Sequence, residues 1–259
     1  MKYQNNTNVK SKLIGTLLFM CVLIPAHTIM AQNQESLIIQ KADELMNLLA
    51  PKDYVWFKDS ISDIFLVLNN LELPPKHKLN VDLPKMERLG DVSHIWVADN
   101  TGKRNDNYLK YVKLKSITEE SCWEWLLFYY MMNNMMPSFW HGDGRYNTYK
   151  MFYSEKQWEK QIDRLKDSFI PDSCMAESEK NANLLSESKY NKMKETKITP
   201  AQIILCASKN KAEVSFYSWN DWKGLIYNQY ELKIKKDNTV KITNSTSETI
   251  IKYWCGVFY

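Results

Sequence analysis

Apolar and polar residues alternate along this chain with two different periods, and the change between them divides it. From Gln34 to Ala50, "QESLIIQKADELMNLLA" sets Leu37, Ile38, Leu45, Leu48 and Leu49 at three-to-four spacing, interrupted by Lys41, with Pro51 following. That spacing predicts an amphipathic helix. A second helical piece is expected over 61–71, closed by Pro74 and Pro75. The stretch "PPKHKLNVDLP", with proline at both ends, reads as a loop. In "SHIWVADNTGKRNDNYLKYVKLKSI" the period shortens to two: Ile95 and Val97 alternate with Trp96 and Ala98. A β-hairpin is expected, with "NTGK" as its turn and 108–114 as its returning strand.

"TEESCWEWLLFYYMMNNMMP" follows. Thr118 can cap a helix, and Glu119 and Glu120 suit its positive end. From Cys122 to Met132 the segment is apolar all round except at Glu124, the pattern of a helix buried within a fold. Met131, Met132, Met135 and Met136 are expected to fill irregular core space. "SEKQ" at Ser154 has the form of a capping box, and Trp158, Ile162, Leu165 and Phe169 share one face of the helix after it. Residues 172–197 are lysine- and glutamate-rich with mixed signs, and read as a polar connector or solvated helix.

After Pro200 the period is two throughout. "AQIILCAS", "KAEVSFYSW", "GLIYNQYELKIK", "TVKIT" and "ETIIKYWCGVFY" are five expected strands, with "SKNK" and "KKDN" as turns. Ala212, Val214 and Phe216 share one face, as do Tyr230, Leu232 and Ile234. The last strand, apolar on both sides, is expected at the sheet centre or under a helix. The fold class expected is α+β, with N-terminal helices and a β-hairpin packed against a C-terminal antiparallel meander of about five strands. One domain is expected over 32–259.

The first residues change the picture of charge and location. Lys2, Lys10 and Lys12 precede the apolar run Leu13–Ala26, and Ala31 offers a small residue for cleavage. This order is that of a secretory signal peptide over 1–31, and the run is short for a bilayer of roughly 30 Å. Cys21 lies inside the apolar run rather than at its end, against lipid attachment. The "MAQ" at the expected cut resembles Gram-negative export leaders, which implies a periplasmic or extracellular location. Cleavage removes three lysines and no acid, so the net charge of +4 falls to about +1. No basic field then argues for nucleic acid. Cys122, Cys174, Cys206 and Cys255 remain, an even number that permits disulfides in an exported chain. Their wide spacing gives no support to a zinc site, and neither metal nor cofactor is expected.

No G-x-S-x-G elbow, phosphate-binding glycine loop, H-E-x-x-H or G-x-G-x-x-G occurs. Two of the seven glycines, Gly142 and Gly144, flank Asp143 in "WHGDGR", a usual turn composition. The same loop allows a catalytic arrangement, with His141 as general base, Asp143 orienting it or holding a metal, and Arg145 binding an anion. The other candidate is aromatic. "FYSWNDWKGLIY" carries five aromatic residues, and strand alternation turns Tyr217 and Trp219 away from the Phe216 face, with Trp222 near the following corner. Tyr217, Trp219 and Trp222 could form a stacking platform, or a second layer could cover them. Export, aromatic richness and the missing catalytic signatures favour a non-catalytic envelope or secreted protein that binds a glycan, a peptide or a protein partner. The alternative is a small hydrolase of envelope polymers built on the His141/Asp143 loop.

Overall fold

The computed structural model describes residues 40, 41, 44, 61–82, 94–134, 149–152 and 154–254, all within one compact unit, Ile38–Tyr259. The expected signal peptide and the His141 loop lie outside them. Gln40, Lys41 and Glu44 are helical, in the segment where a helix is expected.

The N-terminal part differs from expectation in its strands. After a 3-10 turn at Ile61–Asp63 and a short helix α1 (Ile64–Val67), strand β1 (Leu71–Glu72) begins. The proline-bounded "KLNVD", expected as loop, is strand β2 (Lys78–Asp82), and it pairs antiparallel with β3 (His94–Ala98). Leu79, Val81, Ile95 and Val97 are the buried positions, so alternation did mark β2 despite its flanking prolines. The returning arm of the expected hairpin breaks up. Only β4 (Arg104–Asn105) pairs with β3; a 3-10 turn at Tyr108–Lys110 follows; and β5 (Lys113–Leu114) pairs with β1 instead.

Helix α2 (Glu119–Asn134) is buried almost all round, as its composition requires. At its start the Ser121 backbone N–H donates to Thr118 Oγ1 (3.1 Å) and the Thr118 N–H donates to Ser121 Oγ (3.0 Å), a reciprocal cap. Glu124 is fully buried on this helix. Its carboxylate accepts the Asn70 backbone N–H and side-chain amide, both at 2.8 Å, and pairs with the Lys41 ammonium at 3.4 Å. Lys41 also donates to Val67 O and Asn69 Oδ1, which ties the N-terminal helical segment to the turn before β1. Burial pushes the Glu124 carboxyl up, and the Asn70 bonds and Lys41 only partly offset that.

The main sheet consists of β6 (Tyr149–Phe152), β7 (Gln202–Cys206), β8 (Lys211–Asn220), β9 (Gly224–Ile234) and β10 (Val240–Lys252). Its order is β10-β9-β8-β6, all antiparallel, and β7 also pairs with β8. The expected strands "TVKIT" and "ETIIKYW" are one strand, β10, and β10 is an edge rather than the centre. The fifth strand is β6. Phe152 lies opposite Tyr217 and Gln202 opposite Ser215, so β6 and β7 run in line along the same edge of β8. The chain leaves that edge after Phe152 and rejoins it at Gln202.

The excursion between them is a helical layer. It carries α3 (Glu155–Leu165), α4 (Glu177–Asn181) and α5 (Glu187–Glu195). Residues 172–197 are therefore a packed layer rather than a mobile connector: Leu185, Tyr190 and Met193 are buried, and Ser186 caps α5 by accepting the Lys189 N–H at 3.1 Å.

The two faces of the sheet serve two cores. Ala212, Val214, Phe216, Leu232 and Ile234 pack against α2 and the small N-terminal sheets. On the opposite, outer face, Trp219, Leu225, Ile251 and Tyr253 pack against Trp158, Ile162, Leu165, Tyr190 and Met193 of the helical layer. Trp219 lies 5.9 Å from Trp158 and 4.9 Å from Tyr253, ring centre to ring centre. Pairs of this kind contribute about 0.5–1.5 kcal/mol beyond the area they bury.

Candidate functional site

Side chains on the outer face of the main sheet grade from charged to apolar along β8 and β9. Cross-strand register assembles them into rungs. Lys211, Lys233 and Lys241 stand side by side in the first, and Glu213, Glu231 and Asn244 with Ile204 in the second. Gln202, Ser215, Gln229 and Thr246 form the third, and Tyr217, Tyr227 and Glu248 the fourth. Trp219, Leu225 and Ile251 form the fifth, which lies under the helical layer. A β-bulge between Ile242 and Asn244 keeps β10 in step, since it brings Lys241 and Asn244, three residues apart, onto the same face.

The second and third rungs, with Tyr227 at their border, line a shallow depression of about 320 Å³. It presents two carboxylates, three amides and the two aliphatic hydroxyls of Ser215 and Thr246, and the exposed Ile204 (60 %) lies beside them. Neighbouring groups set one another's direction: Asn244 Nδ2 donates to Glu231 Oε1 at 3.3 Å, and Thr246 Oγ1 to Gln229 Oε1 at 3.4 Å. The Tyr217 and Tyr227 rings meet at 4.9 Å and close the depression on the side of the helical layer. Burial, then the neighbouring Tyr227 and Glu248, push the Tyr217 hydroxyl above its ordinary range, so at neutral pH it remains a hydrogen-bond donor. Such a surface can hold a hydroxyl-rich ligand through hydrogen bonds and ring contact.

The aromatic platform expected from the sequence is not assembled. Tyr217 is half-buried, Trp222 is 40 % exposed, and Trp219 is fully buried. Alternation does turn Trp219 outward, but at its end of the sheet outward is toward the helical layer. Its indole Nε1 donates to Asp221 Oδ1 (2.5 Å), which also accepts from Arg164 Nη2 of α3 (2.8 Å). The turn beyond depends on Gly224, at φ +93°: a Cβ there would lie 1.9 Å from Ile251 O.

Three of the four disulfide candidates are described. Cys122, Cys174 and Cys206 are free, so no bridge joins any two of them; Cys255 lies outside the described residues. Burial pushes the Cys122 thiol up to about 12, which leaves it inert as a nucleophile. His141, Asp143 and Arg145 also lie outside the described residues. Among the described residues no group of three or more His, Cys, Asp or Glu side chains is placed to hold a metal, and no helix is long and apolar enough to cross a membrane.

A second polar cluster stands on the small sheet. Asp82 accepts from Trp96 Nε1 (3.0 Å) and pairs with Arg104, which also pairs with Asp106 (2.6 Å) and lies over the Trp96 ring. Slight burial raises the Asp82 carboxyl, but the bonds from Trp96 and Arg104 outweigh it and hold the group below its ordinary range. These groups satisfy one another, which suits a structural clasp.

The outer-face residues Glu213, Ser215, Gln229 and Glu231 were not singled out by the sequence. The available signal was their period of two, opposite Ala212, Val214 and Leu232. No family model, curated protein or solved structure matches the chain.

Proposed function

We propose that this is an exported, non-catalytic protein of the cell envelope or secreted fraction, and that it binds a glycan on the open half of the outer sheet face. One observation carries the reading: among the described residues the helical layer covers this face at one end, and the second and third rungs beyond it are built mainly of amides, hydroxyls and carboxylates, with Tyr227 at their border and Ile204 as the exposed apolar side chain. Polar side chains that converge on a concave surface bordered by aromatic rings are suited to sugar hydroxyls. The leader-like start and the nearly neutral charge after its removal agree with a role outside the cytosol.

Affinity electrophoresis of the protein lacking residues 1–31 through gels containing single polysaccharides tests the binding. Retardation by at least one polysaccharide, abolished in Gln229→Ala/Thr246→Ala, whose side chains are exposed, with a little-changed melting temperature, is the expected result. Equal retardation of the variant would remove the site. Intact-mass analysis of native protein tests export, with a start near Gln32 expected.

A further inference from the structure

The first rung of the outer face belongs to neither buried core. Lys211 is paired with Lys233, and Lys233 with Lys241, so three lysines stand abreast on one face of neighbouring strands, which are about 4.8 Å apart. Like charges directly opposite one another disfavour a sheet. Two connections meet at the same end. Lys209 lies in the one between β7 and β8, Lys235 and Lys236 in the one between β9 and β10, and the Ile234 N–H donates to Asn210 O where they touch (2.8 Å). All six lysines are exposed, and none makes an ion pair among the described residues. The acid nearest in the turn, Asp237, is occupied by the Thr239 N–H (3.2 Å) and hydroxyl (2.7 Å). The chain thus concentrates cations at one end of a face whose next rungs suit sugar hydroxyls.

From this juxtaposition we infer that the ligand is an acidic polysaccharide, whose carboxylate or phosphate groups lie along the Lys211–Lys233–Lys241 rung while its neutral sugars occupy the depression beside it. The inference rests on the glycan reading above. Two features favour a glycan over other polyanions. The lysines adjoin Glu213 and Glu231, which repel a uniformly charged strand but accept sugar hydroxyls, and no arginine is present in the rung to fork onto a closely spaced phosphate backbone.

The experiment compares three probes on the protein lacking residues 1–31: a uronic-acid polymer, its carboxyl-reduced neutral counterpart, and a single-stranded DNA oligonucleotide. Lys211→Gln/Lys233→Gln/Lys241→Gln is measured beside wild type, in 50 and 300 mM salt. Because these side chains are exposed and their like charges disfavour the sheet, the triple variant melts no lower than wild type. Expected are tighter binding of the acidic polymer than of either other probe, a loss of about tenfold in the triple variant, and a similar loss in high salt. Equal binding of acidic and neutral polymers would overturn the inference and leave the glycan site standing. DNA bound as well as the acidic polymer would overturn it in favour of unspecific charge. Failure to bind either polysaccharide would remove the glycan reading itself, and the inference with it.

Discussion

The two ends of the outer sheet face are built from the same strands, yet one is a core and the other a surface. On β8 the outward residues run Lys211, Glu213, Ser215, Tyr217, Trp219; on β9 they run Lys233, Glu231, Gln229, Tyr227, Leu225. Both series pass from charge through amide or hydroxyl to tyrosine and then to a fully buried side chain, Trp219 or Leu225. The opposite face is buried along its whole length on β8: Ala212, Val214 and Phe216 lie in the core with α2 and the small sheets, and beyond them Ser218 accepts from the Asn228 amide at 2.8 Å. The difference teaches that the open half is specified by composition along each strand. It is not merely a region that the helices fail to reach, since an uncovered end of a uniformly apolar face would be an aggregation surface.

That contrast can be broken most severely at the turn of the covered end. Gly224→Ala places a Cβ against Ile251 O in a backbone conformation that L residues avoid, and should cost more than about 4 kcal/mol in urea unfolding. A loss below 1 kcal/mol would mean that the turn is not pinned to β10. Trp219→Ala should cost about 3–4 kcal/mol, as truncation of a buried aromatic does. If the variant were as stable as wild type, the helical layer would not be seated there.

The inner face supplies a control by pH. Glu124→Gln turns one carboxylate oxygen into an amide group that faces a donor, and should cost about 1–3 kcal/mol at neutral pH. Because burial raises the Glu124 carboxyl, the folded state binds its proton more readily than the unfolded state. Wild-type stability relative to the variant therefore falls as pH rises from the ordinary carboxylate range through the raised value, and grows on acidification through the same window. A gap that shrinks on acidification would show that Lys41 dominates over burial.

The smallest effect belongs to the open half. Gln229→Ala should change stability by no more than about 0.5 kcal/mol, because its side chain is exposed. A larger loss would make that half structural, and would argue against a surface held open for a ligand.

Much of this arrangement is legible in the sequence, because alternation and helical spacing are local. The buried stripe of α3 is read from Trp158, Ile162 and Leu165, and the inner face of β8 from Ala212, Val214 and Phe216. What lies over a given face is not local. Trp219 points outward as alternation requires, but it meets Trp158 of α3 and Tyr253, both distant in sequence, and residues 172–197 add Leu185, Tyr190 and Met193 to the same core while otherwise reading as solvated. The unity of β10 is hidden for a related reason. Its middle, "TNSTSET", is exposed on both sides at the edge and has the composition of a loop, yet its ladder to β9 is continuous apart from two bulges. Strand β2 was obscured by its prolines, which flank the paired residues without entering them.

The in-line arrangement of β6 and β7 has a further consequence. A polypeptide that departs from a strand and resumes it one step later can exchange everything in between without disturbing the pairing on either side. The helical layer is in that sense a cassette. A short linker from Phe152 to Gln202 would keep the edge of β8 complete, strip the roof from Trp219, Leu225 and Ile251, and lengthen the trough by one sticky apolar rung. Related sheets could thus differ in how much of the same trough they uncover, tuning the length of what they hold by the size of a single inserted segment.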